Sequence, residues 1–297
     1  MGGFGLVYIK ITRMYMRIRK IISKISRECF QYKEYLQNKE ILKNNGALIG
    51  TKTGKTCFII GNGPSLKDQD LKSLTNEETF VVNSFWLHPD YKTICPKHYV
   101  VVDTPHLYKT DPNRPVELFE ENLIGCSSVV SQIPETKLFF SAMAKKYIEK
   151  NNLFVNNPKF YVLQQDFINQ DLKFNMNPTR TMPFTKNVII LSIMLAIYIG
   201  FEEIYLLGCD HNFLAYPSNQ SIDNYRHFYK EPPGSIPKNL KNATYEDIVI
   251  GAIKLFQNYR FLKEKVAKEY PRVKIYNATP NSFLDVFPII KYGDIKL

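Results

Sequence analysis

The chain is short of the residues that build disulfide frameworks and metal clusters. Its 297 residues hold five cysteines, Cys29, Cys57, Cys95, Cys126 and Cys209, with no Cys-x-x-Cys pair. An odd, scattered set excludes a disulfide scaffold and a zinc site and fits a reducing, cytoplasmic setting. Cys57 and Cys209 fall in apolar runs and read as small core residues. Missing, too, is Gly-x-x-x-x-Gly-Lys-Ser/Thr, which excludes a P-loop nucleotidase. There is no Gly-x-Gly-x-x-Gly and no His-Glu-x-x-His. The longest apolar run, Val188 to Phe201, is too short to cross a bilayer and reads as a core helix.

Acid is absent from the first 27 positions. The net charge is +11, and residues 1–45 supply most of it with ten Lys or Arg against three Glu. The remainder is mildly basic, so no nucleic-acid-binding domain is indicated. Phe4, Val7, Ile11, Met14, Ile18, Ile21 and Ile25 recur at helical spacing, with Lys10, Arg13, Arg17, Lys20, Lys24 and Arg27 opposite them. Charges interrupt every apolar stretch, which excludes a signal peptide and a transmembrane span. Residues 1–50 therefore read as a basic amphipathic helical segment. It has three possible uses: an interfacial helix on an anionic membrane, a short coiled coil making a homo-oligomer, or a helix packed on its own protein.

Hydrophobic residues make up 44% of the chain and aromatics 13%, enough for a large core. From about residue 56 short apolar runs alternate with helical stretches, the mark of an α/β sheet. The expected strands are Cys57–Gly61, Phe80–Asn83, His98–Val102, Ser128–Val130, Phe160–Leu163, Ile204–Leu207 and Val273–Tyr276. The expected helices are Leu66–Leu74, Val116–Glu121, Lys137–Lys150, Asn187–Ile199 and Tyr245–Glu269. Residues 211–243 lack a period and read as a long loop or lid.

Ligands of such sheets gather at the carboxyl ends of strands. Here those ends are polar: Gly61-Asn62-Gly63-Pro64-Ser65, Asn83-Ser84, Asp103-Thr104-Pro105-His106, and Gly208-Cys209-Asp210-His211-Asn212. The first is a glycine turn whose free N–H groups, with Ser65 capping the helix behind it, would receive an anion. His211 and His227 are the histidines nearest this set and, with Asp210, the candidates for acid–base work. Tyr216, Tyr225 and Tyr229 lie in the long loop, where hydroxyls can meet phosphate oxygens or cover the core edge.

Four segments carry a family likeness. FIIGNGPSLKDQDLKSL (58–74), FVVNSFW (80–86), FTKNVIILSIMLAIYIGFEEIYLLGCDHNF (184–213) and YPRVKIYNATPNSFLDVF (270–287) resemble the bacterial lipooligosaccharide sialyltransferases. They also resemble the broader MptE-like group, which includes flagellin-modifying glycosyltransferases and a pterin diphosphokinase. The resemblance implies one Rossmann-like α/β domain with a mainly parallel sheet over residues 51–297, behind the N-terminal amphipathic helix. It implies a metal-independent glycosyltransferase of surface-polysaccharide assembly. The enzyme would move an acidic, sialic-acid-like sugar from a CMP-sugar, bound as substrate with no permanent cofactor, to a glycan or lipid-linked glycan. Nucleotide or donor contacts would fall on Gly61, Asn62, Gly63, Pro64, Ser65, Asn83, Asp103, Thr185, Asn187, Gly208, Tyr216 and Tyr225. The tyrosines would serve the leaving phosphate in place of a metal. The work would be done on the inner face of the cytoplasmic membrane. The family's catalytic His before the last long helix is not matched: Asn242, Thr244 and Glu246 stand there. Its Thr-Ser-Gly helix opening is Thr185-Lys186-Asn187 here. The rival readings are an ATP-dependent diphosphokinase of a pterin-like substrate and a non-catalytic nucleotide-binding module.

Overall fold

The computed structural model describes residues 3–102, 116–215, 227–230 and 244–296. The chain divides into two compact units, Met1–Glu40 and Ile41–Leu297. The first unit is helical. Helix α1 runs Gly3–Lys43, so its last residues belong to the second unit. On it Met14, Ile18, Ile21 and Ile25 form a stripe that is 47–58% exposed. No helix among the described residues is long and apolar enough to cross a membrane.

The second unit is an α/β domain built on eight strands. They are β1 Thr56–Ile60, β2 Thr79–Val82, β3 His98–Val101, β4 Lys137–Ser141, β5 Lys159–Phe167, β6 Thr181–Phe184, β7 Glu203–Leu207 and β8 Lys274–Asn277. Between them lie α2 Tyr91–Ile94, α3 Val116–Val130, α4 Lys145–Lys150, α5 Val188–Ile199 and α6 Tyr245–Glu269. The strands make one sheet in the order β6-β5-β4-β3-β2-β1-β7-β8, with every neighbouring pair parallel. This is the Rossmann-like architecture expected from the sequence. The order runs outward from β1 to β6, then returns to the other side of β1 for β7. Such a reversal splays the connections apart and opens a crevice at the carboxyl ends of β1 and β7.

Alternation along each strand divides the core between the two faces. Cys57 and Ile59 of β1, Phe80 and Val82 of β2 and Leu206 of β7 share one buried cluster with α5 and α6. Helix α5 is apolar all round because it is buried all round; Ile190, Leu191, Ile193, Met194 and Leu195 have no exposed surface. Asn187 caps its start by accepting from Ile189 N–H at 2.8 Å, and Gly200, at φ 111°, ends it. Phe58, Tyr205 and Tyr276 face one another in register across β1, β7 and β8, with ring centroids 5.4 and 5.3 Å apart. Just after α1, the buried Asn45 amide donates to Tyr161 O at 2.7 Å and Pro178 O at 2.8 Å. Those bonds fasten residues 41–48 onto β5 and the approach to β6.

Four local expectations need correction. Ser128–Val130 is the end of α3, not a strand: Leu123, Cys126 and Val130 are buried at helical spacing. Lys137–Lys150 is not one helix. Its first five residues are β4, where Phe139 and Phe140 are buried between β3 and β5, and α4 begins only at Lys145. Strand β6 was not expected; its Pro183 is tolerated because β6 lies at the sheet edge. Residues 66–74 form no α-helix but two 3₁₀ turns, Pro64–Asp68 and Leu71–Leu74, too short to carry a helix dipole.

Candidate functional site

The crevice at the β1/β7 switch holds a cavity of about 490 Å³, within the usual size of a small-molecule site. Five pieces of chain line it: the turns after β1, β2 and β7, the start of α5, and one face of α6, with His227 added from the described 227–230 segment. Of the residues singled out by sequence, Gly61, Asn62, Gly63, Asn83, Asn187, Gly208, Asp210, His211 and His227 are brought together here. Pro64, Ser65 and Thr185 are not on the wall. Thr185 instead donates to Asn187 O at 2.9 Å. Asp103, Tyr216 and Tyr225 lie outside the described residues, as does most of the 211–243 loop.

The turn after β1 is tied to the turn after β7. Gly61 N–H donates to Leu207 O at 2.8 Å and Gly63 N–H to Gly208 O at 2.9 Å. Ser65 gives its N–H to Asp210 Oδ1 at 3.0 Å and its O–H to Oδ2 at 2.8 Å. The expectation of a free amide nest is thus corrected: the amides of residues 61, 63 and 65 are spent, Pro64 has none, and Ser65 caps no helix. The protein's own Asp210 carboxylate sits where an external anion was expected. Burial raises the Asp210 pKa, while the Ser65 hydroxyl and amide, its own amide and His227 pull it back down.

His211 is built differently. It is 8% exposed and holds the left-handed φ of 53°. Its Nδ1 lies 3.0 Å from Cys209 O. A carbonyl only accepts, so Nδ1 carries the hydrogen and Nε2 is left as a lone-pair acceptor. The same Cys209 carbonyl accepts the Ser282 hydroxyl at 2.6 Å, and Phe283 N–H donates to Asp210 O at 2.9 Å. The Pro280-Asn281-Ser282 turn is therefore a brace for β7's end. Among the described residues, Nε2 of His211 has no protein donor, and neither has Oδ1 of Asn62 or of Asn83. Asn62 donates its amide to Val82 O at 3.1 Å, and Asn83 also sits at a positive φ, 47°. Three buried acceptors without donors on one cavity's walls are costly unless a ligand or water supplies the hydrogens.

Burial pushes the His211 imidazole down to about 4. The folded protein then resists a proton that the unfolded chain takes up near pH 6.5. The stabilising contribution is complete above pH 6.5 and is lost as pH falls through about 4. Between pH 7 and pH 4.5 the wild type should lose roughly 2 kcal/mol that a His211→Asn variant keeps. Urea midpoints measured across that range check this; parallel pH curves for the two proteins would refute it.

Helix α6 contributes residues that the sequence reading passed over: Asp247, Ile248, Gly251, Ala252 and Leu255 all face the cavity. One signal was present, a lone glycine in the middle of a long helical pattern. Asp247 also closes a capping box with Thr244, accepting its N–H at 2.9 Å and its O–H at 2.7 Å.

No family model matches the sequence, and no curated protein matches it. Among solved structures, the MAf glycosyltransferase from Magnetospirillum magneticum AMB-1 aligns with 90% of this chain at a TM-score of 0.47 and 9% identity. The chain spans 42% of the length of that protein.

Proposed function

We propose that the chain is a glycosyltransferase whose crevice binds a CMP-activated acidic sugar and passes the sugar to a glycan hydroxyl. The observation that carries this reading is the set of unpartnered acceptors, His211 Nε2, Asn62 Oδ1 and Asn83 Oδ1, at a strand-end cavity. A ligand rich in O–H and N–H groups meets that need; ribose, an exocyclic amine and a sugar supply them. In the proposed reaction the acceptor oxygen bonds to the anomeric carbon. The bond from that carbon to the phosphate oxygen breaks, and CMP leaves with the electron pair. The acceptor's proton goes to the His227 imidazole. His227 stands close enough to Asp210 to act on it electrostatically. His211, held neutral by burial, is the hydrogen-bond acceptor that orients a hydroxyl. Lys186, on the lip, balances donor charge.

A thermal-shift screen with CMP, CDP, UDP, GDP and ATP tests the donor class. Saturation at a hundred times the dissociation constant adds about 2.7 kcal/mol of stability by mass action. Stabilisation by CMP above the others is the expected result. A response to ATP alone that needs Mg²⁺ would turn the reading to diphosphate transfer, and silence with all five to a binding module.

The reading includes a place of work, the anionic surface of the cytoplasmic leaflet. Residues 4–27 hold seven Lys or Arg and no acid, beside the bare stripe of Met14, Ile18, Ile21 and Ile25. Each basic residue near such a surface is worth about 1 kcal/mol, and the apolar stripe adds to that. The full chain should sediment with vesicles containing phosphatidylserine, less so in high salt. Arg17→Glu with Lys20→Glu and Lys24→Glu should release it. If that triple variant binds as before, the basic face does not hold the membrane; if the wild type ignores the vesicles and self-associates, the helix is an oligomer contact.

A further inference from the structure

The face that α6 turns to the cavity reads Asp247, Ile248, Gly251, Ala252, Leu255, spaced i, i+1, i+4, i+5, i+8 on a single side. At its centre the side chain is missing. A glycine in the interior of a 25-residue helix works against that helix, because it costs backbone entropy that alanine does not. Most interior glycines are there because something of the protein lies too close for a β-carbon. Among the described residues nothing does: a Cβ built at Gly251 meets no atom within 4 Å. The contrast within the same cavity is sharp, since Cβ atoms at Gly61, Gly63 and Gly208 would meet neighbours at 2.4, 1.7 and 2.7 Å. Those three glycines serve the fold. Gly251 is not needed by packing, and the space it leaves belongs to the cavity.

We infer that Gly251 is a close-approach position, at which the transferred sugar lays a ring face against the bare backbone of α6. The inference rests on the reading of the cavity as a nucleotide-sugar site, and it names the part of the ligand that α6 receives. The wall on either side fits a pyranose ring better than a phosphate or a nucleobase edge. Ile248, Ala252 and Leu255 are apolar and suit the C–H face of the ring. Asp247, one turn away, offers a carboxylate to ring hydroxyls. Only one of its oxygens, Oδ2, is engaged in the capping box. The Asp247 carboxylate repels the phosphate and the sugar's own carboxylate alike, and both are borne on the anomeric carbon, so that end of the ligand lies toward Lys186 and the start of α5.

Two substitutions test this on the full chain. Gly251→Ala should raise the melting temperature of the free protein by roughly 2 to 4 °C, since helix propensity improves and no contact is lost. Gly251→Leu should fill the space. By calorimetry it should bind CMP within about twofold of wild type but CMP-N-acetylneuraminate at least tenfold more weakly. A lower melting temperature for Gly251→Ala would mean that the fold itself requires the glycine and would overturn the inference. So would equal affinity of Gly251→Leu and wild type for CMP-N-acetylneuraminate, with the nucleotide-sugar reading left standing. If the wild type binds neither compound, the nucleotide-sugar reading fails, and this inference fails with it.

Discussion

His227→Ala is expected to lower turnover at least a hundredfold, the ordinary scale for removing a general base. The nucleotide-induced thermal shift should survive, because His227 lies on the wall beside Asp210 and is assigned no contact with the nucleotide. His227 is chosen over His211 because burial holds His211 near 4, so forming an imidazolium there is costly at neutral pH. Asp210→Asn makes a second arm: the isosteric amide removes the charge and keeps an acceptor for the Ser65 amide. Turnover should fall by about tenfold while donor KM stays within about threefold. Full turnover in His227→Ala would move the role to another group.

Gly63→Ala should cost roughly 3 kcal/mol or more of stability, the second large effect. The added Cβ would sit 1.7 Å from Asp210 Oδ2 and 2.6 Å from Gly208 O. The carboxylate can swing away only by abandoning Ser65, and the Gly208 carbonyl is backbone fixed by the Gly63 N–H bond. Gly46→Ala is the matched control, because its nearest neighbour to a new Cβ is a Thr179 methyl at 3.9 Å. The expected outcome is a large drop in urea midpoint for the first variant and little change for the second. Wild-type stability in Gly63→Ala would mean that the β1 and β7 turns are not locked together as described.

The parts of the domain readable from sequence were those in which one residue pattern has one physical meaning. Cys57–Ile60 and Ile204–Leu207 are short, apolar and bounded by polar turns, and they lie in the parallel strands β1 and β7. Tyr245–Glu269 was expected as a helix and is one, and the structure starts it with a capping box of Thr244 and Asp247. Where two meanings overlap, local reading failed. Lys137–Ser141 runs straight into Ala142-Met143-Ala144-Lys145, a helix-favouring stretch, and only burial between β3 and β5 makes it a strand. The legible part of the candidate wall lies at the strand ends, where glycine, asparagine and histidine follow apolar runs. The Ser65–Asp210 pair was not legible, since its partners are 145 residues apart and either residue alone is an ordinary turn former. That pair decides the chemistry of the turn, and it turned an expected anion cradle into an internal clasp.

The strand order has a consequence for the chain while it is being made. From β1 to β6 each new strand joins the one before it, but Thr56 of β1 waits for Glu203, 147 positions later, on its other side. At about 5 to 20 residues per second, that edge stays open for roughly 7 to 30 seconds of synthesis. What is left open is Thr-Cys-Phe-Ile-Ile, uncharged, apolar and without proline, the kind of edge that recruits other strands. Until β7 is made, β1 is thus an adhesive edge of the nascent chain. Its shielding until β7 arrives, by a chaperone or by rapid translation of the intervening stretch, sets how much of the protein reaches its folded form.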